Sequence, residues 1–528
     1  MHSSQSLEDQ IGTADTSRFV VRERTGAATP KARRWSFALA GLIVGLLYTA
    51  NVFYCEHSTL KFMDVALPNS DMHANLMWAR SIREQGWLNA APYHPWNDWM
   101  QQIAPYSQWV EWWGGEQIFQ QSPLYAYLLS PFVEHLIIFR ILQALMGIGT
   151  CVFIGLFTAR MASRAAGWIA FWLAALYAPF YAYSWPFLRD GIGWLLTAAA
   201  LWALSEMTAT VWPSGRARLF GWLAGVLLGL GFLARETYLL LIPVVWITLA
   251  CIAWKRRHWG IVTRTALATV LTICPLVYRN WVVKAPLLSS SNRAAEVFIA
   301  SNAAGARPYI FTIPAATQGI LAETHGRTWP AIQASIASYP DGVRGWARLQ
   351  VLRFISLFDP YESGDNLSFY FVAHISPVVR FGLRYWMILP IALAGLFLSI
   401  ARKEHAQLWM WVFLPIVLSS VLFGTAVSRY RQSLMIFFIP WTAYFLMIMW
   451  SLINRRKFRT SAYWAMALLA GWALICGPLS RQPRGQYERP QEYFASVMIY
   501  HWLGEEQNER AMLAFARRMF PGVSYPEF

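Results

Sequence analysis

The sequence has 528 residues, 56% of them hydrophobic and only 14% charged, with 44 basic against 28 acidic residues and a formal net charge of +16. A soluble domain carries about a quarter charged residues, so this balance, together with 29 Trp, excludes an ordinary soluble enzyme and points to a chain solvated largely by lipid. In a soluble protein the basic excess would suggest nucleic acid; here the place of each charge between apolar stretches matters more than the sum, and no nucleic-acid partner is expected.

The first 34 residues are polar and end in Lys31, Arg33 and Arg34, directly before the first apolar stretch. That pattern predicts a cytoplasmic tail (1–34) followed by an uncleaved anchor. A span needs about 20 apolar residues to cross a hydrocarbon core of about 30 Å. On that rule eleven spans are expected, near 35–54, 137–159, 166–185, 190–207, 219–234, 236–254, 262–283, 381–401, 407–427, 432–453 and 462–480. The fold class is therefore all-α and polytopic, with a transmembrane domain over 35–480.

Charge counting supports this layout. With the N-terminus inside, the five short cytoplasmic loops carry fourteen basic residues, from Arg160 and Arg164 through to Arg455, Arg456, Lys457 and Arg459. The three short outer turns carry four: Arg189, Arg235, Arg429 and Arg431. This is the positive-inside asymmetry. Two long loops, 55–136 and 284–380, then lie outside, as does the C-terminal tail 481–528. Six Trp of the first loop (Trp87, Trp96, Trp99, Trp109, Trp112 and Trp113) suit interfacial helices. Residues 491–519 have helical spacing and predict a surface helix. Gly221, Gly225 and Gly229 form a small-residue ridge for close helix packing.

Soluble-enzyme signals are absent or misplaced. Five scattered cysteines with no CxxC pair indicate neither a zinc site nor a disulfide framework. Gly229–Ala234 matches the loose dinucleotide pattern but lies inside an apolar span with no strand before it. No G-x-x-x-x-G-K-S/T, H-E-x-x-H or G-x-S-x-G occurs. The first loop is more informative. After the first span, Asn69–Trp87 predicts an amphipathic helix with Leu76, Ala79 and Ile82 on one face and Gly86 closing it. Asp71 stands at its start, where a carboxylate can simply cap the helix or can serve chemistry.

Asp71–Gly86 resembles the first outer loop of the lipid-phosphate-dependent glycosyltransferases of superfamily C, which include the protein O-mannosyltransferases and the lipid A aminoarabinose transferases. Gln121-Ser122-Pro123-Leu124-Tyr125-Ala126-Tyr127 resembles the family's segment before the second span. Arg189-Asp190 stands where the family often carries a second acid, and Gly229–Arg235 is similar to its "G-L-x-x-x-T-K/R". Tyr278-Arg279-Asn280 with Ser289–Asn292, and Arg429-Tyr430-Arg431, resemble two later motifs. The resemblance covers roughly residues 35 to 450. Met72 replaces the family's usual second acid, and Ser122 the first proline of its pair.

The resemblance implies an enzyme that moves a sugar from a polyprenyl-phosphate donor to a lipid, glycan or protein acceptor, with inversion at the anomeric carbon. The active site would face the periplasm of a bacterial inner membrane. Asp71 is then the candidate general base, and Asp190 a second acid that orients acceptor or sugar. Arg binds phosphate oxygens bidentately, so Arg235, Arg279, Arg429 and Arg431 are candidates for the donor phosphate; each could instead snorkel to lipid headgroups. His73, His94 and Tyr125 are candidates for acceptor or sugar contact, and the histidines beside Asp71 leave a divalent metal open. A lipid-linked glycan flippase and an O-antigen-type polymerase are the competing readings. A transporter usually places ionisable groups in mid-span, whereas these spans carry charges mainly near their ends.

Overall fold

The computed structural model describes residues 30–402, 407–424, 427–477 and 488–523. Contacts divide the chain into two units, residues 1–46 and 47–528. The first, where described, is the leading stretch of helix α1 (Pro30–Glu56); residues 1–29 of the expected tail lie outside the described residues. Among the helices that follow are α2 (Asp71–Gln85), α3 (Tyr106–Trp113), α4 (Leu136–Met161), α5 (Arg164–Ala175), α6 (Ala178–Ser184), α7 (Asp190–Ala209), α8 (Gly215–Ala234), α9 (Tyr238–Arg256) and α10 (Gly260–Val282), with further helices in the two long loops. After them come α11 (Ala294–Asn302), α12 (Tyr385–Ala401), α13 (Leu408–Phe423), α14 (Ser428–Arg431), α15 (Met435–Asn454), α16 (Phe458–Cys476), α17 (Pro490–Trp502) and α18 (Glu506–Met519).

Among the described residues there is no strand, only an isolated bridge between Tyr177 and Leu383. Seven helical segments are long and apolar enough to cross a membrane: Leu39–Glu56 of α1, then α4, α7, α8, α9 and α10, and the run Ser428–Asn454 in which α14 leads into α15. Helices α12 and α13 are apolar and shorter, with 17 and 16 residues. The protein is an all-α polytopic membrane protein.

Ten of the expected spans each fall on one helix, with residues 425, 426 and 478–480 outside the described residues. The segment 166–185 does not. It breaks into α5 and α6 at Leu176–Tyr177, where the Leu176 carbonyl accepts the Leu383 N–H at 2.7 Å and Pro179 opens the next helix. Twelve residues of helix cover only about 18 Å, so α5 alone is short for a bilayer. The predicted surface helix over 491–519 is likewise two helices, α17 and α18, and α17 buries Tyr493, Ala495, Val497 and Ile499. The tryptophans of the first loop divide. Trp87 and Trp96 are exposed, but Trp109, Trp112 and Trp113 are buried in a small core with Ile299 of α11 and Leu321.

Helix α8 packs closely on α10, α7 on α4 and α8, and α12 on α15. The α8 face is the expected glycine ridge: Gly221 lies against Ile261, Gly225 against the Thr265 carbonyl and Ala268, and Gly229 against Thr272. A side chain at Gly225 would collide with the Thr265 backbone oxygen and, at 2.6 Å, with the Ala268 Cβ. Overpacking of this kind costs about 1–3 kcal/mol. Gly225→Val should therefore lower the thermal midpoint of the purified protein, whereas Gly41→Val, which meets nothing within 4 Å, should leave it unchanged.

Candidate active site

The site begins at the N-terminus of α2. Ser70 has extended backbone, and its hydroxyl accepts the His73 N–H at 3.3 Å, so Ser70 caps the helix. Asp71 is the first helical residue and its carboxylate is left for other partners. Those partners come from three distant parts of the chain. Arg429 of α14 donates from Nη2 to Asp71 Oδ2 at 2.9 Å. Arg293, before α11, is 3.6 Å from Oδ1. Asn366 of the second long loop donates to Oδ2 at 3.0 Å and accepts the Asp71 backbone N–H.

Arg429 has two further anionic neighbours: Asp365 Oδ2 lies 2.9 Å and Asp190 Oδ2 3.7 Å from its Nε. Its side chain is only 5% exposed, that of Asp190 2%, and that of Asp71 25%. Burial alone would push the Asp71 carboxyl up; the positive charges of Arg429 and then Arg293 more than reverse this and hold it well below the usual carboxylate range.

A second pair of charges crosses over. Adjacent Arg189 and Asp190 do not pair with each other, nor do adjacent Arg235 and Glu236. Instead Arg235 at the end of α8 bridges Asp190 at the start of α7, and Arg189 bridges Glu236 at 2.6 Å. Neighbouring residues at a helix end point in different directions, so partners come from the facing helix. Glu236 also accepts the Ser122 N–H at 2.9 Å, which ties the Gln121-Ser122-Pro123 segment to the same place.

Most of these groups, though not Asp190, line a cavity of about 630 Å³, the size of an organic-ligand pocket. Its polar wall holds Asp71, Arg189, Arg235, Arg293, Arg429 and Tyr430. Its apolar wall includes Leu239 and Leu241 of α9, Phe298 of α11, and Val417 and Val421 of α13. Leu239 is 58% exposed, so the apolar part reaches the protein surface.

Of the residues singled out in the sequence, Asp71, Asp190, Arg235 and Arg429 come together. The structure places the others elsewhere. Arg279 is 2% exposed and stacks over Phe119; it donates to the carbonyls of Leu88, Asn89 and Gln117 at 2.7–2.8 Å, which holds the first loop on α10. Arg431, itself buried, donates to the Asp359 and Tyr361 carbonyls and pairs with the buried Glu362 at 3.2 Å. His73 Nδ1 is bonded to the Asp64 carbonyl at 2.9 Å. His94 is stacked on Trp113 with Nε2 at 2.8 Å from the Ile118 carbonyl, and burial pushes its pKa down. The buried Tyr125 hydroxyl accepts from Gln143 at 3.1 Å. None of these five lines the cavity.

The sequence reading left out Arg293, Asp365 and Asn366. Arg293 directly follows the Ser289–Asn292 passage, so its place was within reach. Asp365 and Asn366 sit in an irregular stretch with no periodicity to mark them. Among the described residues no three His, Cys, Asp or Glu side chains form a group suited to a metal ion; the space between Asp71, Asp190 and Asp365 holds the Arg429 guanidinium.

No protein-family model matches the sequence, and no curated protein matches it. Among solved structures the chain is similar to the archaeal oligosaccharyltransferase AglB from Archaeoglobus fulgidus in complex with an inhibitory peptide and a dolichol-phosphate, at 13% identity and a TM-score of 0.43, over 94% of this chain and 62% of that one. The A. fulgidus oligosaccharyltransferase tethered with an acceptor peptide gives 13% identity and 0.45 over 88% and 57%; its apo form gives 13% and 0.45 over 94% and 62%. The structural neighbours are oligosaccharyltransferases. This chain spans about three fifths of their length, and at that identity and score the functional reading rests on the site's own geometry.

The crossed pair Arg189–Glu236 yields a pH test. Burial would raise the Glu236 carboxyl, but Arg189 outweighs it and brings the pKa from 4.5 down to about 2. A depressed carboxyl stabilises the folded state above its unfolded pKa and loses that contribution as pH falls through the folded value. The thermal midpoint of Glu236→Gln should therefore lie below wild type near neutral pH. The gap should narrow as pH drops from about 4.5 towards 2; a constant gap would show that Glu236 acts through packing alone.

Proposed function

We propose that this protein is a membrane glycosyltransferase that moves a sugar from a polyprenyl-phosphate donor to a hydroxyl-bearing lipid, glycan or protein acceptor, with inversion, on the periplasmic face of a bacterial inner membrane. One observation carries the reading: a carboxylate at a helix start and several guanidinium groups share one cavity whose other wall is apolar and reaches the protein surface. A lipid phosphate has these two halves. Its headgroup suits Arg189, Arg235, Arg293 and Arg429, and its chain suits Leu239, Leu241 and the α13 wall.

In the reaction the acceptor oxygen attacks the anomeric carbon and the carbon–oxygen bond to phosphate breaks. The electron pair leaves with the phosphate, and the acceptor proton passes to the Asp71 carboxylate. Positioned bases contribute about 10²–10⁴-fold. Asp71 held low by two arginines is ionised but weakly basic. A donor phosphate competes for the same guanidinium groups, so its arrival raises the basicity of Asp71 when the acceptor needs it. Asp190, bridged to Arg235, holds that cation at the headgroup end and does not itself line the cavity. Arg279 and Arg431 have structural roles in this reading.

The competing transporter reading is not favoured, because the ionisable groups of the site lie at helix ends and loops. The test is transfer of radiolabelled sugar from a panel of polyprenyl-phosphate donors by the purified protein in nanodiscs. Asp71→Asn should cut transfer by about 10²-fold or more without weakening donor binding. Unchanged transfer by that variant removes Asp71 as the base. A protein that carries glycan lipids across vesicles and transfers nothing removes the enzyme.

A further inference from the structure

The C-terminal segment reaches the site through a buried carboxylate. Glu492 of α17 is 0% exposed. Its Oε1 accepts the backbone N–H of Ser368 at 2.9 Å and takes the Arg489 guanidinium, whose Nε is 3.1 Å away. Arg489 in turn lies against Gly364, where even a Cβ would come within 2.9 Å of its Nε. The stretch 364–368 is therefore held at both ends by α17 and the residue before it. At its centre is Asn366, whose side chain bonds both the backbone N–H and the carboxylate of Asp71 and also donates to Asp365 at 3.0 Å. On its other side α17 meets the first loop through the Ser496–Thr59 hydroxyl pair at 2.8 Å.

A fully buried carboxylate is costly unless paired and hydrogen-bonded. A leucine would fill similar space without that cost. Only an acceptor oxygen can hold the Ser368 N–H and Arg489 at once. Side chains whose sole contribution is packing need no such group.

We infer that Glu492, with Arg489, is a positioning residue for the Asp71 site: it fixes the 364–368 stretch so that Asn366 sets the direction of the Asp71 carboxylate. This rests on the reading of Asp71 as the base. Glu492 touches neither substrate nor Asp71 and acts through Asn366.

The test is a double-mutant cycle on sugar transfer by the full-length protein in nanodiscs, with thermal midpoints recorded for each variant. Glu492→Leu and Asn366→Ala should each lower kcat by about 10–100-fold, as small misplacements of reacting groups do, with a smaller change in donor KM. The double variant should be no slower than the worse single, because both remove the same restraint. Losses that multiply would overturn the inference and leave Glu492 a folding residue. If Glu492→Leu does not fold, Glu492→Gln keeps an acceptor for Ser368 while weakening the grip on Arg489. It should slow wild type but not the Asn366→Ala protein; equal slowing of both would overturn the inference. Multiplying losses alongside an inactive Asp71→Asn sink this inference alone, whereas a fully active Asp71→Asn sinks the base reading itself.

Discussion

The Arg429 guanidinium lies 2.9 Å from Asp71, 2.9 Å from Asp365 and 3.7 Å from Asp190. These carboxylates come from the first long loop, the second long loop and the start of α7. Among the described residues Arg429 is the side chain that joins all three of these parts of the chain. Buried charges carry a large desolvation penalty, and removing one partner of such a set costs about 3–5 kcal/mol because it strands the others. The constraint is mutual. Arg429 keeps three like charges together, and they keep an arginine buried at the start of a membrane helix.

Around this centre the remaining charges are also paired. Arg235 takes Asp190, Arg189 takes Glu236, and Arg293 is shared between Asp71 and Glu296. A cavity of fully paired ions is poised for exchange rather than for simple capture. In the proposed reaction, an incoming donor phosphate would gain a guanidinium only as a carboxylate loses one, and the carboxylate that loses it would become more basic. On that proposal, binding of the phosphate and activation of the base are two sides of one event. Arrangements that set pKa values through specific charge partners in a cleft are typical of functional sites.

The surrounding structure keeps this network in register. Arg279 ties the first loop to α10 through three backbone carbonyls, and Arg431 ties the 359–362 turn to α14. Gly193 of α7 leaves room for the Arg235 side chain, where a Cβ would come within 2.9 Å of its Nε, and so lets Arg235 reach Asp190. Several arginines resemble one another in sequence context but differ in task. Arg279 and Arg431, which hold backbone carbonyls, build the scaffold, whereas Arg189, Arg235, Arg293 and Arg429 face the cavity.

Much of the fold was legible because lipid demands long apolar helices and places Lys and Arg between them in a readable pattern. That demand acts locally, on each stretch of about 20 residues, so the long apolar helices, the Gly221–Gly229 ridge and the Gly86 stop could be found from the sequence, whereas most short helices of the two long loops could not. The break at Leu176 was not, since it depends on Leu383, some 200 residues on. Within the site, Arg235 and Arg429 stood out by their place in short turns on one predicted side, and Asp71 and Asp190 through the family resemblance. Which arginine meets which acid did not: Arg189 adjoins Asp190 and Arg235 adjoins Glu236 in the chain, yet each pairs with the acid at the other helix end. Likewise Asn366, Arg293 and the burial of Glu492 depend on loops folding back over hundreds of residues. The sequence by itself determined a helical membrane chain with its charged residues near the helix ends, because hydrophobic length and charge are local properties. Only the tertiary structure decided which of those residues share a cavity, because side-chain pairing depends on distances that span and loop lengths do not encode.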